Sequence, residues 1–218
     1  MPPLNLDRRH QLADAAIALL GEHGVHGLSH RSADERAGLP TGTASNYFRT
    51  RDALLVAAAE RITQLHLDEM ALLERTGDPS VQPQPTPAPP EPPLPQQPPP
   101  APLPPMDESG LIEAITQSLV AAATTHRTRY RAVCELMLEA ARRPPLAEAL
   151  DQLEATALGF TTLLHRRLGL ATTDPQIRML TTLYAGILFE LVTRPAEVQT
   201  AQVAELARAA VKGALALT

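Results

Sequence analysis

Between Arg36 and Phe48 the chain reads RAGLPTGTASNYF, a concentrated set of uncharged hydrogen-bonding side chains. Thr41, Thr43, Ser45, Asn46 and Tyr47 carry polar tips, Gly42 leaves the backbone bare among them, and no acid interrupts the run. His30, Arg31, Arg49 and Arg51 flank it. Such a set does not point to catalysis. The sequence offers no nucleophile–base pair, no metal-ligand cluster and no phosphate-cradling glycine loop. His126 and His165 lack a partner at metal-ligand spacing, so neither a metal nor a cofactor is expected.

What the set offers is recognition. On a helix turning about 100° per residue, Ala44 and Phe48 share a face with Pro40 and can pack on Ala33 and Ala37. Gly42, Thr43, Ser45 and Asn46 point the other way, with Tyr47 at the border. A small, polar, acid-free face suits entry into the major groove of double-stranded DNA. Gly42 would let the helix backbone approach closely, and Thr41, Thr43 and Ser45 would offer hydroxyls to bases or phosphates. Asn46 is suited to a bidentate bond with adenine, and Tyr47 to packing its ring inward while its hydroxyl meets a phosphate. His30, Arg31, Arg49 and Arg51 are placed to hold phosphates. The alternative is plainer: Asn46 near a helix end can serve as a C-terminal cap, and Ser and Thr are common on wet surfaces.

Several elements must position these groups. A helix with Leu12, Ala13, Ala16, Ile17, Leu19 and Leu20 at helical spacing is expected to end at Gly24. A second starts after Ser29 as N-cap and stops at Gly38, which enters the left-handed region cheaply. Pro40 presets φ for a third, short helix beginning near Thr41. From Arg51 one helix of about 26 residues follows, with Thr50 as N-cap and Asp52 in its first turn. Residues 78–105, about half proline, cannot be helix or sheet interior, and read as a flexible linker or a ligand for a proline-binding module. Five more helices are expected: 107–125, 127–143 (stopped by Pro144-Pro145), 146–168, 175–193 and 200–217. The boundaries are thus a helix-turn-helix domain over 1–50, a connector over 51–77, a Pro-rich linker over 78–106 and a helical domain over 107–218.

Bulk properties agree with an all-α fold. Hydrophobic residues make up 44% of the 218 and aromatics 3%, without tryptophan, so the core must come from Ala, Leu, Ile and Val. The net charge of −5 gives no general attraction to nucleic acid, and the first 62 residues hold about as many acids as arginines. Affinity for DNA would have to come from local placement. A lone cysteine excludes an internal disulfide, and neither a secretory leader nor a membrane-spanning apolar run is recognisable, so a cytoplasmic protein is expected.

The Ala-rich first helix, GVHGLS, ERAGLPTGTASNYF and RTRDALL follow one another in the order and spacing of a known family. From Leu12 to Leu55 the sequence resembles the N-terminal domain of tetracycline-repressor (TetR) family transcriptional regulators. It departs from the family by Ala33 where a large aliphatic is frequent, Asp34 where Ala is frequent, Ser45 in place of an aromatic, and Arg51 in place of Lys. The resemblance implies a homodimer on a palindromic operator, with a C-terminal bundle that dimerises and holds a small-molecule effector. It implies dimerisation through the last two helices, whose stripes (Ile177, Leu180, Tyr184, Ile187, Leu188, Leu191; Val203, Leu206, Ala210, Ala214) fit an interface or an internal core alike. Effector contacts would fall among Tyr130, Cys134, Glu135, Met137, Phe160 and His165, each with a polar or polarisable tip on an otherwise apolar face. Cys134 is either a buried inert thiol or, if Arg131 steadies its thiolate, an oxidant sensor. A competing reading is a helical scaffold that recruits partners through the Pro-rich segment.

Overall fold

The computed structural model describes residues 5–76, 106–194 and 197–217. Among them every regular element is a helix: α1 (Leu6–Gly27), α2 (His30–Ala37), α3 (Thr43–Tyr47), α4 (Arg51–Thr76), α5 (Glu108–Ala123), α6 (Arg127–Ala140), α7 (Pro144–Arg167), α8 (Asp174–Thr193) and α9 (Thr200–Leu215). The all-α expectation holds. Apart from Met106, the Pro-rich segment lies outside the described residues.

Helix ends follow local chemistry. The Asn5 side chain caps α1 by accepting from the backbone of Asp7 and Arg8, and Ser29 and Ser32 form a reciprocal capping box on α2. The first helix breaks where expected. Gly24 takes φ 67° and ψ −174°, a backbone only glycine holds without strain, and one further turn runs to Gly27. The freed Val25 N–H donates to Glu135 Oε2 at 3.0 Å. Thr50 caps α4 by accepting from Ala53 N–H. The Pro144-Pro145 pair does not stop α6, which ends at Ala140. It opens α7, because a first-turn proline loses no hydrogen bond.

Burial ties the two halves together. Leu12, Leu20, Leu28, Leu54, Leu55 and Ile62 form a core under α1–α4 that continues into Leu136 of α6 and Leu146 of α7. Each leucine taken from water contributes about 2 kcal/mol. Where α1 crosses α6 the backbones nearly touch at buried Gly21. A Cβ there would lie 2.7 Å from Thr128 Cγ2 and nearer still to the Thr128 carbonyl oxygen. Glycine is required here for close approach.

The stripes of the last two helices turn inward. Ile177, Leu180, Leu188, Val203, Ala210 and Ala214 are buried within the chain, against α5 and one another, so of the two roles their spacing allows these residues take the internal core. Tyr184 is held the same way, its hydroxyl 2.8 Å from Ser118 Oγ. The outward face of α8 is a different set: Met179, Ala185, Gly186 and Phe189 are exposed, Phe189 by 52%. Small exposed residues of α9, Ala209 and Gly213, with Ala216 just past its end, leave a shallow surface there.

A polar cluster joins the connector to α6. Arg129 Nη2–H donates to Glu69 Oε1 at 2.7 Å, and its guanidinium lies over the Tyr130 ring. The His66 ring stacks on Tyr130 with centroids 5.6 Å apart. Burial, reinforced by the charge of Arg129 and by His126 against an opposing pull from Glu69, pushes the His66 pKa down to about 4. The unfolded chain therefore takes up the proton first, and stability falls as pH drops from about 6.5 toward 4. Denaturant midpoints should give His66→Phe less acid sensitivity than the natural chain, the difference reaching about 2 kcal/mol at pH 5.

Candidate nucleic-acid interface

α2 ends because Gly38 enters the left-handed region at φ 64°, and the Gly38 and Leu39 amides fold back onto carbonyls of α2. The chain then reverses through Pro40 into a five-residue helix with no capping side chain of its own. Asp34 supplies the cap from α2. Its buried carboxylate accepts from Gly42 N–H at 2.7 Å and Ala44 N–H at 2.6 Å. An anion at the amide end of a helix is stabilising both by hydrogen bonding and by the helix dipole. The far end of α3 is fastened by α2 as well: His30 Nε2–H donates to the Phe48 carbonyl at 2.7 Å, a role forced by an acceptor that cannot donate. Between these two ties Ala44 and Phe48 are buried with Ala33, as their spacing demands.

The polar face of α3 points outward. Thr41, Ser45 and Asn46 are exposed, and Gly42, Thr43 and Tyr47 partly so. Thr43 Oγ1–H donates to the Pro40 carbonyl and Ser45 Oγ–H to that of Gly42, so both hydroxyls present lone pairs. The Asn46 amide caps nothing: the described residues offer it no hydrogen bond, and the last turn is closed by the Phe48 amide on the Ala44 carbonyl. Arg49 is exposed; Arg31 is exposed and pairs with Glu35 at 2.8 Å.

Four expectations change. His30 is engaged with the Phe48 carbonyl and is not a free phosphate ligand. Arg51 turns into the protein, where its guanidinium donates to the carbonyls of Leu28 and Val25, tying the start of α4 to the end of α1. Gly42 is required by its φ of 91°, since it precedes α3 in the left-handed region, whereas the close approach of a groove had been its expected reason. Pro40 is exposed and so does not share the buried face of Ala44 and Phe48. Asp34 escaped sequence reading as a functional residue. Its signal was an acid directly after Ala33 on the inward side of α2, where an unpaired carboxylate has no place.

Comparison with known proteins places this geometry. Residues 12–58 match the family model described as bacterial regulatory proteins, tetR family, and residues 106–217 match the tetracyclin repressor-like C-terminal domain. The chain belongs to the TetR family. TetR-family proteins are DNA-binding regulators without enzymatic activity. The HTH-type transcriptional regulator BetI of Escherichia coli is 40% identical over 65 residues, 29% of this chain, and the match spans a third (33%) of BetI. A transcriptional regulator from Rhodococcus sp. Rha1 shares the fold with a TM-score of 0.69 at 19% identity, over 95% of both chains. The multidrug binding protein EbrR, solved in complex with ethidium, gives 0.61 at 25% identity over 95% of this chain and 98% of its own.

In a TetR-family bundle the six side chains expected to meet an effector do not converge. Tyr130 packs under His66 and Arg129, and burial raises its pKa. Burial also raises the pKa of the partly buried Cys134 thiol, outweighing Arg131. Glu135 serves the Val25 amide after the Gly24 break. His165 is buried, its Nδ1 2.9 Å from Thr172 Oγ1, and desolvation lowers its pKa. Met137 is 59% exposed and Phe160 half-buried. Among the described residues no group of three or more His, Cys, Asp or Glu is placed to hold a metal ion, and no helix is long and apolar enough to cross a membrane.

Asp34→Ala should lower folding stability by about 3 kcal/mol, since it strands two amides, one of them buried, that now bond to a charged acceptor. Asp34→Asn should retain part of this through its remaining oxygen. Chemical denaturation followed by circular dichroism measures both; an Ala variant as stable as the natural chain would show that the cap is incidental.

Proposed function

We propose that this TetR-family regulator is a ligand-responsive repressor. It binds a palindromic operator as a homodimer in the cytoplasm, and a small-molecule effector releases it. One observation carries the reading: the outer face of α3 is uncharged, accessible and fixed at both ends, with the Asn46 amide engaged by nothing else. Thr43 and Ser45 stand beside Asn46 as acceptors and Thr41 as acceptor or donor, Arg49 and the Tyr47 hydroxyl are left for phosphates, and Arg31 reaches one by exchanging its exposed pairing with Glu35.

A single α3 reads too few base pairs for a specific site, and a two-fold dimer doubles the reading. The outward face of α8, with Met179, Gly186 and Phe189, is the surface suited to a second copy, small residues allowing close approach beside one large apolar anchor. Phe189→Glu should yield monomers in sedimentation, with α-helical content unchanged and operator affinity reduced by at least about tenfold. An effector acts if it prefers the state in which the two reading heads are wrongly spaced. The continuity of the α1–α4 core with α6 and α7 supplies the mechanical connection. EbrR, similar in fold at 25% identity, holds ethidium, which supports a small-molecule ligand here without naming it.

Selection of bound sequences from a random DNA pool tests the reading. The expected product is a two-fold motif with half-sites about 34 Å, one helical turn, or a multiple of that apart. Against that motif Asn46→Ala should lose about 1–3 kcal/mol at one position per half-site and little elsewhere. Arg49→Ala should weaken all sequences alike and flatten the salt dependence. A pool that yields no motif, or one bound equally well by Asn46→Ala, removes α3 as the reader and leaves the scaffold reading.

A further inference from the structure

The outer face of α3 is free of acid, but the helix beside it is not. Along α2, Asp34 faces the start of α3 and holds the Gly42 and Ala44 amides; His30 faces its end and holds the Phe48 carbonyl. One position on from each, about 100° further round the helix, stand Glu35 and Arg31. Ala33 and Ala37 lie on the other side and pack into the core. Glu35 and Arg31, both exposed, therefore flank the reading face on its solvent side. They are joined there, Arg31 Nε–H donating to Glu35 Oε1 at 2.8 Å. Arg36, a further step round, is turned toward α1, where Glu22 accepts from both of its terminal nitrogens.

We propose that Glu35 is a specificity-determining residue: by pairing with Arg31 it withholds that guanidinium from non-specific phosphate contact until α3 is seated on its own site. The assignment rests on the reading of α3 given above.

Phosphate contacts supply essentially all of the affinity for random DNA and carry no sequence information. An open arginine beside the reading face would strengthen every complex alike. A paired one adds no net attraction, because the carboxylate one turn away repels the strand that the guanidinium attracts. The pair is exposed, and so weak enough to exchange. On random DNA nothing fixes the flank of α2 against one phosphate, and the pair stays closed. On the operator the base contacts of α3 hold that flank to the backbone, and Arg31 leaves Glu35 for phosphate oxygens, which its planar fork can take two at a time. An attraction common to all sequences thus becomes one that is released only in the correct register.

The test measures the salt dependence of binding by the full chain, using fluorescence anisotropy on the selected operator and on a random-sequence duplex between about 50 and 200 mM salt. On the random duplex Glu35→Gln should steepen the fall of log affinity with log salt by about 0.9 for each reading head, making its gain about 3.5-fold larger at the low-salt end than at the high. On the operator, where Arg31 is already engaged, the slope should match that of the natural chain, so the ratio of operator to random affinity falls. Arg31→Ala should flatten the operator slope by the same amount and leave the random slope alone. Combining Arg31→Ala with Glu35→Gln should return the random slope to its natural value. Glu154→Gln, an equal change of net charge on exposed α7, should alter neither slope. An unchanged random slope in Glu35→Gln overturns the assignment. So does steepening that persists without Arg31, that Glu154→Gln reproduces, or that is equal on both duplexes. A selected motif with an unchanged Glu35→Gln slope removes the role of Glu35 and spares the reading of α3. Selection without a motif removes that reading, while the random-duplex slopes still decide whether Glu35 holds Arg31 in check. A chain with no salt-dependent affinity for either duplex overturns both.

Discussion

The recognition surface depends on a helix of five residues, too short to hold itself in water. What holds it is α2, by one side chain at each end. Asp34 gathers the Gly42 and Ala44 amides, and His30 reaches the Phe48 carbonyl. Both ties are made to backbone, so beyond the buried Ala44 and the local bonds of Thr43 and Ser45 the side chains of α3 take no part in keeping it in place. This division frees the outer face. Thr41 and Asn46 can be chosen for what they meet outside the molecule, since their removal breaks no contact that positions the helix.

The same separation of duties explains the arginines. The chain carries net negative charge, and many of its cations are engaged internally: Arg51 with two carbonyls, Arg129 with Glu69, Arg61 with Asp14, Arg36 with Glu22. The Arg36–Glu22 pair lowers the carboxyl and raises the guanidinium, as mutual hydrogen bonding of opposite charges does. Few cations near α3 are left outward. Attraction to a polyanion is therefore local and depends on orientation, and the orientation comes from the clamp on α3.

Much of this was legible in the sequence, and the limits are instructive. Gly24, Gly38, Ser29 and Thr50 punctuate the helices as their chemistry requires, because capping and left-handed turns are decided within a few residues. The inward packing of Ala44 and Phe48 follows from the wheel alone. Long-range ties did not show. Nothing local says that Arg51 will turn toward Val25, that Glu135 will answer an amide 110 residues away, or that Asp34 will cap a helix other than its own. The α8 and α9 stripes stayed open for another reason: burial inside a chain and burial between chains leave the same apolar period. Only the packed structure separates them, by showing which face remains after α5 has covered its share. Asp34 was visible as a departure from a family in which Ala is frequent, but a departure read without partners has no sign.

Coupling between the two halves is built from backbone as much as from side chains. At Gly21 the absence of a Cβ lets α1 and the start of α6 meet; at Gly24 the chain leaves the helix, and Glu135 of the same α6 captures the amide thus exposed. Two glycines about one turn apart therefore fix α6 to the helix that supports α2 and α3, and Arg51 fixes the connector to the same end of α1. A displacement of α6 is carried to α1 at two points, through contacts with little side-chain freedom to absorb it. Packed interiors yield by switching between arrangements more readily than by stretching. A signal arriving at α6 thus has a short path to the reading helix: α6 to α1, α1 to α2 through their shared core, and α2 to α3 through the carboxylate and the imidazole that hold it.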